Sequence, residues 1–270
     1  MKTFKLLNFK LKKNLWVDIF WAYKSAFHWS WLEFAEHKQY IPWDEIKHID
    51  WKASAKSNKI FVKKYEEQKH LNVLFVFHLN ESFKAFKNKF NILKELFFLL
   101  AFSAIYNNDS IVGLVGNDFT PSWSNAYLVS MILEKIENTQ KYVLLDEILE
   151  KIKNFKNHVI FLFTDEDKLT EKQIKLLKRI QLKNELIFVN VFDEFENNLA
   201  NIGSFLDLKT NKPLTVNLAN TNKIKQYQKL REEKLNKLKN LLVSKWIDYL
   251  YISSNMDVFK TVYKFFMNKI

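Results

Sequence analysis

Five short apolar runs punctuate the chain: Asn72–Phe77 (NVLFVF), Ser110–Val115 (SIVGLV), His158–Phe163 (HVIFLF), Glu185–Val191 (ELIFVNV) and Tyr249–Ser253 (YLYIS). The first four are apolar at nearly every position, which is the pattern of strands buried on both faces. Helical segments separate them. Phe86–Tyr106 is apolar nearly all round and reads as a central helix. Ser124–Ile136 and Tyr142–Ile152 follow, then a helix capped by Thr170 with Ile174, Leu177 and Ile180 on its apolar side. A lysine-rich helix over Asn222–Lys245 carries Leu235, Leu238, Leu241 and Leu242 on one side, and a final helix closes the chain. Strands and helices alternating at this spacing predict an α/β fold: a doubly wound, mainly parallel sheet covered on both faces.

The N-terminal part has a different texture. Residues 1–30 are aromatic and basic without a firm period. Residues 31–70 hold a polar-aromatic segment and then a strand or strand pair around Lys59–Tyr65. We therefore divide the chain into an N-terminal extension, residues 1–70, and an α/β domain, residues 71–270.

Composition narrows the class. Hydrophobic residues make up 48% of the 270, with 25 Phe and 8 Trp, ample for a large core and contrary to disorder. The absence of cysteine excludes disulfides, thiolate metal sites and cysteine nucleophiles, and is compatible with a reducing cytoplasm, the expected location. A net charge of +12 invites nucleic acid or an anionic membrane surface as partner. Yet arginine occurs only at Arg179 and Arg231, and phosphate recognition leans on arginine forks that lysine reproduces poorly. No specific nucleic acid is expected. The longest apolar run, Leu96–Ile105, is far short of the ~18–20 residues that span a bilayer, so no transmembrane segment is expected.

Open α/β sheets bind ligands beyond the carboxyl ends of their strands, so polar residues there are the candidates. Three places carry them: His78-Leu-Asn80-Glu-Ser82, the loop with Thr139, and Thr164–Asp165. Hydroxyls and carboxylates gathered from such loops are the ligands a divalent cation needs. The acids Asp165, Glu166 and Asp167 also suit a polar turn at a helix start. The six histidines form no metal-ligand pair, and no Gly-rich phosphate loop or serine-hydrolase elbow is present. The residues give no positive sign of an enzyme, and no catalytic residue is assigned. Between Tyr40 and Lys56, acids Asp44, Glu45 and Asp50 alternate with Lys47, Lys52 and Lys56 among Trp43 and Trp51. That segment reads either as a charge network clamping the extension to the body or as a docking surface.

The segments EFAEHKQYIPWDEIKHIDWKASAK, KKYEEQ and HLNES resemble the domain of unknown function 58 family, whose pattern runs roughly EFxExRxYxxGDDxRxIDWxxxAR, K-x-[FY]-x-x-E, then a buried strand and DxSxS. Glu33, Phe34, Glu36, Tyr40, Asp44, Ile49, Asp50, Trp51 and Ala55 match outright; Lys38, Lys47 and Lys56 stand where the family has arginine. NNDSIVGLV resembles its D-x-V-G-L strand and VFDEFENNL its DPxE segment. The resemblance implies a von Willebrand factor A-like domain, Rossmann-like in its winding, behind the N-terminal extension. It also implies a metal-ion-dependent adhesion site whose positions fall on His78, Asn80, Ser82, Thr139 and Asp165. The leading aspartate of that site is His78 here, so the site is degenerate. Mg²⁺ is a doubtful ligand, and no cofactor is expected.

Members of the family are typically encoded beside MoxR-type AAA+ ATPases and other von Willebrand A proteins. The resemblance therefore implies a cytoplasmic, non-enzymatic adaptor or scaffold that binds such an ATPase or its client during assembly or maturation of protein complexes. Interaction residues would include Glu33, Tyr40, Asp44, Asp50, Trp51 and Lys56. The alternatives are a Mg²⁺-dependent protein-binding module using Ser82, Thr139 and Asp165, and a nucleic-acid-acting hydrolase using Asp44, Asp50 and Lys52. Attachment to anionic lipid through the lysine-rich helix is a further, blander possibility.

Overall fold

The computed structural model describes residues 13–28, 37–42, 49, 51, 54–55, 59–63, 70–122, 124–139, 142–196, 205–207, 212–214 and 221–269. In chain order the elements are α1 (Lys13–His28), β1 (His37–Gln39), β2 (Phe61–Lys63), β3 (Asn72–Phe77), α2 (Glu81–Ala85), α3 (Lys87–Tyr106), β4 (Ser110–Val115), β5 (Asp118–Phe119), α4 (Ala126–Asn138) and α5 (Leu145–Ile152). There follow β6 (His158–Thr164), α6 (Glu171–Gln181), β7 (Glu185–Phe192), a 3₁₀ turn (Glu194–Glu196), β8 (Phe205–Asp207), β9 (Lys212–Leu214), α7 (Thr221–Val243), β10 (Asp248–Ser253) and α8 (Val258–Met267).

The five apolar runs and the short β5 form one six-stranded sheet, order β10-β7-β6-β3-β4-β5, parallel except for β5. Alternation within each run sorts its side chains between two cores. Val73, Phe75 and Phe77 of β3 join Phe161 and Phe163 of β6 under α1, α3, α4 and α8. Leu74 and Val76 join Ile160 and Leu162 under α5, α6 and α7. Register places Phe75 beside Phe161 and Phe77 beside Phe163, where the rings stack at 5.5 and 4.9 Å. Phe97 of α3 meets both β3 rings edge-on, at 5.1 and 5.3 Å. With both faces covered, this is the doubly wound, Rossmann-like α/β fold that the pattern predicts.

Local chemistry fixes the joints. Gly116 (φ 60°) supplies the left-handed residue that turns β4 into β5. A Cβ on Gly113 would sit 2.9 Å from two carbons of Ile132, so glycine there sets how closely α4 approaches β4. Thr170 and Gln173 form a reciprocal capping box at the start of α6.

Two elements differ from expectation. Residues 13–28, read as lacking a period, form α1. Its buried residues Ile19, Ala22, Tyr23, Ala26 and Phe27 do follow helical spacing, but Phe20 and Trp21 on other faces blur it. Thus a helix from the extension is packed into the first core, against α3 and α8. The polar-aromatic segment contributes β1, paired antiparallel with β2, where only the β2 region was expected. Among the described residues no helix is long and apolar enough to cross a membrane.

Candidate functional site

From β3 the chain steps to β4 on one side, then crosses back to β6 on the other, so winding reverses between β3 and β6. At such a reversal the carboxyl ends of the two strands splay and leave a crevice. The segments after these strands are His78–Ser82 and Asp165–Asp167, so sequence proximity to the crevice is guaranteed by topology.

Three of the candidate residues converge there. Asn80 caps α2, its Oδ1 accepting from the Ser82 backbone N–H at 3.0 Å and from the Ser82 hydroxyl at 2.7 Å. Its Nδ2 donates to Asp165 Oδ1 at 2.6 Å, and the Ser82 hydroxyl lies in contact with Asp165 Oδ2. Two candidates lie otherwise. His78, buried, faces Thr164 with Nδ1 2.9 Å from its hydroxyl, and so ties the ends of β3 and β6 together. Thr139 forms the C-cap of α4, and no hydrogen bond joins it to Asn80, Ser82 or Asp165 among the described residues.

The centre of the site is a residue that the sequence reading passed over. Lys89, on the first turn of α3, is 0% exposed. Its Nζ donates to Asp165 Oδ2 at 2.6 Å, Ser82 Oγ at 2.8 Å and Glu196 Oε1 at 2.9 Å. Three acceptors meet the three protons of the ammonium. The rings of Phe83 and Phe192 flank it, at 4.8 and 5.5 Å from Nζ to centroid. Glu196, at the end of the 3₁₀ turn, is shared: Arg231 of α7 donates to its Oε2 at 2.8 Å and to its carbonyl oxygen at 2.6 Å. Among the described residues, Lys89 and Arg231 thus offset the charges of Asp165 and Glu196 in a cluster that joins α2, α3, the β6 and β7 ends and α7.

Signals for these residues did exist. Lys89 falls in line with Leu93, Leu96 and Leu100, a buried stripe of α3, where a lysine must find a partner. Glu196 ends the DEFE stretch within VFDEFENNL, and Arg231 is one of two arginines among 42 basic residues. Beside Arg231 a groove of about 740 Å³ opens between α7 and β10, with Glu232 and Leu235 on the helix and Tyr249 and Tyr251 on the strand. Burial there pushes the Tyr249 phenol up to about 12.

Of the interaction candidates, Tyr40 is half-buried, with its backbone N–H donating to Ile60 at 2.8 Å, and Trp51 is 66% exposed. Glu33, Asp44, Asp50 and Lys56 lie outside the described residues.

These features define a Rossmann-like α/β protein whose sheet, at its carboxyl edge, carries ion pairs among its own side chains. Residues 36–237, about three quarters of the chain, match the family model described as protein of unknown function DUF58, and the chain belongs to that family. A search of curated proteins gives no match.

Proposed function

We propose that this protein is a non-enzymatic adaptor that binds a MoxR-type AAA+ ATPase, or that ATPase's client, during assembly or maturation of a protein complex. The observation that carries this reading is the closure of the sheet's carboxyl edge. Asp165 and Glu196, the acids at that edge, are each engaged by a buried cation. General acid–base work needs a carboxyl free to exchange its proton with a substrate. A rigid, charge-balanced edge instead offers a fixed surface for a partner protein. Its von Willebrand A-like character and its place in the cytoplasm belong to the same proposal. The exposed Trp51 supports docking through the family block, since aromatic side chains dominate protein interfaces.

The test is affinity purification of the tagged protein from its native cells, followed by binding of the purified ATPase to the purified adaptor. We expect a MoxR-type ATPase to be retained in ATP. Recovery of no AAA+ ATPase in ATP or in EDTA would overturn the reading.

A further inference from the structure

The resemblance to von Willebrand A domains implies a divalent cation at the edge formed by Asn80, Ser82 and Asp165. The residues present do not fit one. Hard cations such as Mg²⁺ require about six oxygen ligands around an open centre, several of them water. Here the centre toward which Ser82 Oγ, Asp165 Oδ2 and Glu196 Oε1 converge is filled by the Lys89 ammonium. Phe83 and Phe192 occupy two further sides, which leaves no room for the waters Mg²⁺ keeps. Charge argues the same way: the positive charges of Lys89 and Arg231 already offset those of Asp165 and Glu196 among the described residues.

We infer that Lys89 is a tethered cation that stands in place of a divalent metal ion, so that this edge is assembled by the polypeptide alone and any partner docks on it without metal. The oxygen cage itself is of the kind a hard cation takes: one hydroxyl and two carboxylates from three separate elements. Withdrawing the ammonium leaves that cage with surplus negative charge and space at its centre. Lys89→Ala is therefore a conversion, from a cage holding its own cation to one that takes a cation from solution. The inference stands apart from the adaptor reading, since recovery of no ATPase from cells would leave it untouched.

The test titrates Mn²⁺ into the full-length protein, with bound ion counted by electron paramagnetic resonance and thermal unfolding followed with Mn²⁺ or EDTA. Wild type is expected to bind no ion at the edge and to melt at the same temperature in both. Lys89→Ala is expected to melt about 10 °C lower in EDTA, to take up one Mn²⁺, and to recover about half of that loss. Uptake and recovery should vanish in Lys89→Ala/Asp165→Asn. One Mn²⁺ bound by wild type and lost in Asp165→Asn would overturn the inference. So would a folded Lys89→Ala that binds none. Should Lys89→Ala fail to fold, the wild-type titration stands on its own.

Discussion

Two buried carboxylates sit at opposite ends of the same sheet and are satisfied in opposite ways. Asp109 precedes β4 at the amino end, is 0% exposed, and accepts from the Leu71 backbone N–H at 2.9 Å and the Tyr23 hydroxyl at 3.1 Å. These two described donors are neutral and belong to scaffold: the chain entering β3 and the inner face of α1. Burial and the neighbouring Asp109 charge together hold the Tyr23 phenol well above its ordinary pKa, so it remains a donor. Asp165 follows β6 at the carboxyl end and, among the described residues, is held by side chains: the Asn80 amide, the Ser82 hydroxyl and the Lys89 ammonium. The first arrangement anchors the N-terminal helix to the sheet. The second gathers loops and three helices around one cation, at the end where this fold binds things.

The comparison is open to attack by mutation, since each arrangement carries its own cost. The largest loss is expected from Lys89→Ala, about 4 kcal/mol in denaturant unfolding without metal, because two carboxylates in a low-dielectric site lose their shared cation. Asp109→Ala should cost less, about 3 kcal/mol, since the described donors it leaves unpaired, the Leu71 N–H and the Tyr23 hydroxyl, are neutral. Tyr23→Phe should cost about 1.5 kcal/mol, the loss of one hydrogen bond to a charged acceptor in an otherwise conserved shape. A Lys89→Ala loss smaller than that of Tyr23→Phe would erase the distinction between the two ends.

How legible these ends are in the sequence follows from what sets each. The strands β3, β4, β6 and β7 are apolar on both faces because helices cover both, and a continuous apolar run announces that directly. Helix α1 is obscure because Phe20 and Trp21 lie off its buried face, Trp21 being 62% exposed, so burial and hydrophobicity part company. Asn80, Ser82 and Asp165 are legible because topology forces strand ends together, whatever the loops contain. Lys89 is legible only in part: its register with Leu93, Leu96 and Leu100 places it on the buried face, whereas Lys87 is exposed, but nothing local names its partners. Its partner Glu196 lies 107 positions further along the chain, and Arg231, which holds Glu196 from the other side, lies 142 positions from Lys89. Such a cluster exists only once the sheet has been wound. Asp109 occupies an intermediate place: it opens the D-x-V-G-L resemblance, but its partner on α1 is set by tertiary packing alone.

The central claim is that the Lys89 ammonium resides, charged and sealed, at the centre of the carboxyl edge. Nitrogen-15 NMR of lysine side chains reads this directly, because an ammonium fixed by three acceptors exchanges its protons with water far more slowly than a solvated one. We expect one protected NH₃⁺ resonance near neutral pH, absent in Lys89→Ala and unmoved by Mg²⁺. Absence of any protected resonance, or its displacement when Mg²⁺ is added, would contradict the account.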